Sequence, residues 1–373
     1  MEIIAFVFFG IVGIYSIFIL WLAYGFRRVT VSKNQAPEPK TNFSIIVPFR
    51  NEADRLPELL HSFTQLNYPR TQFEIIFVND SSTDDSVSVI QNFPALSFHF
   101  QIIDNIRKSG SPKKDAISTA INSINNEWII TTDADCFVNP DWLTAIDSYI
   151  QNHEPSMIAG AVAFSAEDSF LHQFQQIDLM SLQGATIGSF GIEKAFICNG
   201  ANLAYKKELF LDLNGFDGNN GIASGDDVFL LQKAVAKHPE KVHYLKSVAN
   251  IVLTKPLDEW KSVFHQRVRW ASKAASYQIL FGKILALVVF GGNLAIVLGL
   301  LLTLAHLFSF WTWYLLFAVK IFVDFSLLYQ TGKFLQPKSV KFFLISNLVY
   351  PFFSVAVALY SLFGRYEWKG RKF

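Results

Sequence analysis

The run from Ile3 to Phe26 contains no charged residue. It exceeds the roughly 20 apolar residues that a helix needs to cross a bilayer. Any fold for this chain must therefore accommodate a lipid-facing anchor. No basic segment precedes the run and no small-residue cleavage pattern follows it, so it reads as an uncleaved anchor rather than a signal peptide. Three further apolar runs occupy Ile279–Phe308, Phe310–Tyr329 and Phe342–Phe363. They account for a mean hydropathy of +0.27 and a hydrophobic share of 51%, both high for a wholly soluble protein. Arg27, Arg28, Lys33 and Lys40 follow the first run. The positive-inside rule then puts the next segment in the cytoplasm. Four spans would return the C-terminus to the outside, whereas Arg365, Lys369, Arg371 and Lys372 argue for a cytoplasmic tail. Both signals hold only if one apolar run is interfacial or re-entrant. Lys320 and Asp324 lie four residues apart inside the third run, and a costly intramembrane charge is expected to pair.

Between these runs the character changes. Ser32 to Thr41, with Pro37 and Pro39, reads as a linker. From Asn42, β-rich runs at Phe43–Phe49, Phe73–Val78, Phe98–Ile103 and Trp128–Thr132 alternate with helical candidates at Glu52–Phe63, Asp84–Phe93 and Lys113–Ile124. Such alternation predicts an α/β domain built on a mostly parallel sheet. The organisation expected is an anchor over residues 1–28, an α/β domain over 42–250, an amphipathic interface helix within 251–278 and transmembrane helices over 279–364. The net charge of +1 and the absence of a basic stripe exclude a nucleic-acid partner. Two distant cysteines, Cys136 and Cys198, give neither a disulfide framework nor a zinc spacing and read as reduced cytosolic thiols.

In a parallel sheet, ligands sit at the carboxyl ends of the strands. Several polar motifs fall there. Asp133-Ala134-Asp135 follows the strand at Trp128, and two carboxylates flanking a small residue can share one hard cation, although Asp-rich turns are also common. Asp80 ends the strand at Phe73 and can accept hydrogen bonds from a base or ribose; Ser81, Ser82 and Thr83 beyond it suit helix capping. Pro48-Phe49-Arg50-Asn51-Glu52 ends the first strand and opens a helix, a place that favours an anion or simply a cap. Lys113 and Lys114 lie in the next connection, where one of them suits a diphosphate or both are simply solvated. Cys198-Asn199-Gly200-Ala201-Asn202 and Ser224-Gly225-Asp226-Asp227 come later; a carboxylate at a helix start is either a cap or a general base. Gln266, Arg269 and Trp270 share one face of the amphipathic segment Leu257–Ser276, as phosphate fork and flat platform or as interface-anchoring side chains.

In this order the motifs resemble those of the family 2 glycosyltransferases, inverting enzymes with a GT-A fold. The resemblance covers about Asn42 to Ser272. Pro48 to Glu52 resembles the opening motif, Asp80 the nucleoside-binding aspartate, and Asp133-Ala134-Asp135 the D-x-D metal motif. Asp226-Asp227 stands where many members carry Glu-Asp. Gln266-Arg267-Val268-Arg269-Trp270 fits the Q-x-x-R-W pattern of membrane-embedded members such as cellulose and hyaluronan synthases and ceramide glucosyltransferases. The fold implied is a Rossmann-like, mostly parallel α/β sheet with α-helical transmembrane segments. The resemblance also implies Mg²⁺ or Mn²⁺ on Asp135 and Asp133. It implies a nucleotide-sugar donor, of UDP type in much of the family, held by Pro48, Arg50, Asn51, Glu52, Asp80, Lys114, Asp133, Gln266 and Arg269. An acceptor would lie by Asn199, Gly200 and Trp270, with Asp227, assisted by Asp226, as base. The expected product is a glycosylated membrane lipid or, in a processive enzyme, a polysaccharide made at the cytoplasmic face of the cell membrane. The ending Glu367-Trp368-Lys369-Gly370-Arg371 resembles a segment that touches the diphosphate in related synthases. A nucleotidyltransferase would carry a Gly-rich phosphate loop that PFRNEAD lacks, and a transporter would build its site from paired repeats of spans.

Overall fold

The computed structural model describes residues 2–32, 38–94, 96, 98–165, 169–219, 224–273, 276–336, 341–363, 367–368 and 371–372. The helices α1–α6 are Glu2–Arg28, Leu56–Thr64, Ser86–Gln91, Pro112–Ile121, Trp142–His153 and Phe170–Gly191. Helices α7–α12 are Lys207–Asp212, Asp226–Lys237, Trp260–Ala271, Leu280–Leu304, Phe310–Leu335 and Phe343–Phe363. The strands β1–β5 are Phe43–Phe49, Phe73–Asn79, His99–Asp104, Trp128–Thr131 and Cys136–Phe137. Strands β6–β10 are Met157–Gly160, Val162–Phe164, Leu203–Lys206, Val242–Leu245 and Val252–Thr254. The chain forms two compact units.

The α/β unit comprises Thr30–Ser165 and Ile197–Lys255. Its main sheet has the order β3-β2-β1-β4-β8-β6-β9, and a smaller sheet runs β5-β10-β7. The pairs β1–β2, β1–β4, β2–β3 and β6–β9 are parallel, while β8 runs antiparallel to β4 and β6. Ile45, Ile46 and Val47 are all fully buried. A strand with both faces covered needs no polar alternation, which is why FSIIVPF reads as a continuous apolar run. The β1–β4 register ends at Ile46 opposite Thr131. Pro48 lies past that point, where a missing backbone N–H interrupts no β1–β4 pairing. The strand order also reverses between β1 and β4, so a crevice at their carboxyl ends is the natural ligand position.

The expected helix at Glu52 starts late. Asn51 takes a left-handed φ of 51°, and the N–H groups of Asn51, Glu52 and Ala53 are bound by Ser82 Oγ, Ser86 Oγ and Asp84 Oδ2 at 3.2, 2.8 and 3.0 Å. These side chains replace the first helical turn, and α2 begins only at Leu56.

The helical unit comprises Met1–Val29, Ala166–Phe196 and Pro256–Phe373. Four of its helices, within Ile3–Arg28, Leu280–Leu304, Phe310–Leu335 and Phe343–Phe363, are long and apolar enough to cross a membrane. This unit takes in α6, whose residues fall inside the stretch 42–250. Helix α6 packs on α1 and α11. Its small residues make the approach possible: a Cβ on Gly188 would lie 2.4 Å from the Leu22 carbonyl oxygen, and one on Gly191 would lie 1.9 Å from that of Gly25. Elsewhere a helical Gly→Ala change gains about 1 kcal/mol. Here the new atom meets backbone, which cannot rotate away. Gly191→Ala is therefore expected to destabilise by about 1–3 kcal/mol, read as a lower melting temperature in detergent; a raised one would refute the contact.

The expected Lys320–Asp324 pair forms, at 2.6 Å, with the Lys320 side chain 3% exposed. Tyr15 of α1 also donates its hydroxyl to Asp324 Oδ1. Helix α9 is shorter than the expected Leu257–Ser276, and its buried face carries Val263, Arg267 and Val268. An aromatic cluster docks it: Phe174 of α6 lies 5.1 Å from both Trp260 of α9 and Phe353 of α12. In the tail motif Glu367 to Arg371, Lys369 and Gly370 lie outside the described residues, as do Lys33, Pro37 and Arg365.

Candidate active site

Three acids of the α/β unit, Asp133, Asp226 and Asp227, converge around one lysine. Lys113, at the start of α4, places Nζ 2.6 Å from Asp133 Oδ1 and 3.4 Å from Asp226 Oδ2. Burial opposes its charge, but Asp133, Asp226 and Asp227 outweigh that effect and raise its pKa, so the ammonium persists. Asp133 and Asp135 follow β4, whereas Asp226 and Asp227 form the first turn of α8. Gly225 makes that junction possible, because its φ of 86° suits glycine.

Gly200 closes the cluster. Its N–H donates to Asp227 Oδ2 at 2.9 Å and its carbonyl accepts from Thr131 Oγ1 at 2.8 Å. A Cβ here would sit 3.0 Å from Asp226 Oδ2 and 3.3 Å from both Asp227 Cβ and Lys113 Nζ. Asn199 faces its own turn, its Oδ1 accepting from the Ala201 N–H at 3.0 Å. Val228 N–H donates to Asp227 Oδ1 at 2.8 Å, so both oxygens of that carboxylate are oriented by backbone donors. Asp226 is 7% exposed, and Asp227 is half-buried.

Asp135 lies 3.3 Å from Arg55 Nη1. Ligand atoms of Asp133, Asp135 and Cys136 fall within 4.8 Å of one another. Burial first, then the charges of Asp135 and Asp133, pushes the Cys136 thiol well above its usual range. A protonated thiol is a poor ligand for a hard cation, whereas two carboxylates suit Mg²⁺ or Mn²⁺ that completes its shell with phosphate oxygens and water. The donor set fits such an ion.

Asp80, at the end of β2, is 5% exposed. Both its oxygens are engaged: Arg107 Nε and Nη2 donate at 2.5 and 2.8 Å, and Asn105 Nδ2 at 2.8 Å. A bare carboxylate awaiting a nucleoside is thus replaced by a bidentate ion pair. Arg50 bonds the carbonyls of Asp80 and Ser81 at 2.7 and 2.9 Å, tying β1 to the next loop. With the N–H groups of Asn51 and Glu52 also taken by Ser82 and Ser86, the anion-binding turn expected over Pro48 to Glu52 is a loop brace.

Lys114 needs correction. It is 1% exposed, donates to the Asn219 carbonyl at 2.7 Å and lies 5.1 Å from the Phe229 ring centroid. Adjacent helical residues point about 100° apart, and Lys113 is the one that meets the acids. Arg55 and Arg107 escaped the sequence reading because their partners are distant in the chain. A cleft of about 610 Å³ lined in part by Asn42, Trp128, Lys206 and Lys241 opens at the amino ends of β1 and β4, the opposite edge of the sheet from the acids.

Gln266, Arg269 and Trp270 belong to the helical unit, where all three are half-buried on α9. Arg267 between them is buried and pairs with Asp178 of α6.

The family model described as glycosyl transferase family 2 matches residues 44–213. Residues 44–213 are a glycosyl transferase family 2 domain. This family 2 domain holds Asp80, Asp133, Asp135 and Gly200, while Asp226-Asp227 follows it. Across 116 residues the chain is 27% identical to the poly(ribitol-phosphate) β-N-acetylglucosaminyltransferase TarS of Staphylococcus aureus, covering 31% of this chain and 20% of that one. It is 24% identical over 267 residues to the poly-β-1,6-N-acetyl-D-glucosamine synthase of Staphylococcus epidermidis, covering 70% of this chain and 61% of that one. The chain thus spans less than two thirds of either relative. In fold it resembles a mannosyltransferase of Pyrobaculum calidifontis solved with GDP-mannose and Mn²⁺, with TM-score 0.59 and 18% identity over 97% of this chain and 99% of that one. The α/β unit therefore has a GT-A-type, mostly parallel sheet, and residues 44–213 of the chain match the family 2 model.

Proposed function

We propose that this enzyme transfers a sugar, with inversion, from a nucleotide diphosphate to a membrane lipid or lipid-linked acceptor on the cytoplasmic side of the cell membrane. The observation that carries the reading is the meeting of Asp133, Asp226 and Asp227 at Lys113, against the Gly200 backbone. The acceptor hydroxyl oxygen attacks the anomeric carbon, the bond from that carbon to the phosphate oxygen breaks, and the nucleoside diphosphate leaves. Asp227 takes the hydroxyl proton. Its two backbone donors fix the carboxylate direction, and it is the less buried of the two neighbouring acids. Asp226, held by Lys113, keeps that lysine charged. Asp133 and Asp135 would hold Mg²⁺ or Mn²⁺, which when bound offsets charge on the leaving diphosphate. Lys113 adds a cation at the same place. The family resemblance gives Gln266 and Arg269 to the diphosphate, Trp270 to the acceptor and Asp80 to the nucleoside.

Detergent-solubilised enzyme is to be tested with UDP-N-acetyl[¹⁴C]glucosamine, UDP-[¹⁴C]glucose and GDP-[¹⁴C]mannose over a lipid extract, with Mg²⁺, Mn²⁺ or EDTA. Label in the organic phase, lost with EDTA, is expected. Asp135→Ala is expected to lower turnover about 10²–10³-fold, the usual loss when a charge-stabilising group is removed. Turnover unchanged by EDTA and by Asp135→Ala would end the metal assignment. A processive polysaccharide synthase is the second reading, favoured by the similarity to the poly-N-acetylglucosamine synthase. A ladder or high polymer in place of a single-sugar lipid would select it.

A further inference from the structure

The geometry points to Asp178 and Arg267 as a positioning pair that aims Gln266 and Trp270. Neither residue has a role in the chemistry above, and the inference rests on that reading only for what Gln266 and Trp270 do.

Helix α9 buries a guanidinium on a face otherwise made of Val263 and Val268, both fully buried. A charge in such a place is costly unless it is paired. Asp178, 5% exposed on α6, supplies the partner by accepting from Arg267 Nε. That single contact fixes the plane of the guanidinium, because Arg presents its donors in a rigid fork. Two consequences follow within α9. Arg267 Nη1 donates to Gln266 Oε1. A donor there requires the amide oxygen to face it, so the NH₂ of Gln266 becomes the outward, donating end, the polarity that suits a phosphate oxygen. The Arg267 guanidinium carbon also lies 4.2 Å from the Trp270 ring centroid. Trp270 is the residue three positions on, and the stacked cation sets the tilt of the indole. Ser181 Oγ bonds the Asp178 carbonyl at 2.7 Å, bracing the same turn of α6.

The pair therefore acts at one remove. It supplies neither a proton nor a phosphate ligand. It keeps one amide from flipping and one ring from turning, and misplacement on the scale of an ångström costs up to about 100-fold in rate.

The test uses full-length protein in detergent. Arg267→Lys keeps the positive charge for Asp178 but removes the fork and the flat stacking face. It is expected to lower kcat/KM for the turned-over donor among the three labelled sugar nucleotides named above by about 10- to 100-fold, with the melting temperature little changed. The Trp270 emission, obtained as the difference from the same protein carrying Trp270→Phe, is expected to shift. Asp178→Asn combined with Arg267→Gln removes both charges together, which protects the fold, and is expected to give the same two changes. Wild-type kcat/KM and an unshifted Trp270 emission in both variants would overturn the positioning role. A shifted emission without a kinetic loss, where Gln266→Ala and Trp270→Phe lower kcat/KM, would also overturn it. Full activity in Gln266→Ala and Trp270→Phe themselves would instead refute the roles given to those two residues and end the inference with them.

Discussion

Asp227→Asn is expected to abolish most transfer, by about 10²- to 10⁴-fold in kcat, while leaving donor binding in place. The argument is geometric. Asp227 accepts from Gly200 N–H with one oxygen and from Val228 N–H with the other. Asparagine has the same shape but cannot take a proton from an acceptor hydroxyl at neutral pH. It also presents one NH₂ to one of those two backbone donors, so about 1 kcal/mol of stability should go with it. The loss in rate should far exceed what that small destabilisation explains. The checks are steady-state turnover with saturating donor, binding of the matching nucleoside diphosphate by calorimetry, and a melting curve. Turnover within about threefold of wild type would remove Asp227 as the base.

Asp324→Asn should have the largest effect on stability. Lys320 and Asp324 lie 2.6 Å apart on α11, a helix long and apolar enough to span a bilayer, and Tyr15 of α1 donates to the same carboxylate. Gly292 of α10 leaves room for that tyrosine, since a Cβ there would lie 2.6 Å from Tyr15 Cδ2. Neutralising the aspartate strands a 3%-exposed ammonium, and breaking a buried pair in this way typically costs about 3–5 kcal/mol. Removing both charges, in Lys320→Met with Asp324→Leu, should recover most of the loss. Thermal unfolding in detergent measures both proteins. Equal melting temperatures for Asp324→Asn and wild type would show that the pair contributes nothing to holding α1 against α11.

How far the sequence reveals this molecule depends on the residue in question. Strand β1 is legible because a doubly covered strand is apolar throughout, and the four helices long and apolar enough to cross a membrane are legible from length and hydropathy. Helix α6 is not. Its stretch FLHQFQQIDLMSLQGATIGSFG buries Gln173, Gln175, Gln176, Asp178 and Gln183 together with its apolar residues. With polar groups inside, no apolar stripe at helical period remains to be recognised. The acids of the site are legible as motifs at strand ends and at the start of α8, but their counter-ions are not. Arg55 with Asp135 and Arg107 with Asp80 are pairings that only the fold creates. Nor does spacing decide between Lys113 and Lys114, because the choice depends on which side of α4 meets Phe229.

The route of the backbone carries a practical consequence. The chain leaves the α/β unit after Ser165, runs through α6, and re-enters at Ile197. Every contiguous fragment that contains both Asp133 and Asp227 must also carry α6. Cut away from α1 and α11, that helix would present Gly184, Gly188 and Gly191, shaped to receive another helix, directly to water. Trimming the ends alone will therefore not yield a well-behaved soluble version of the α/β unit; the helix threaded through its middle has to be redesigned as well.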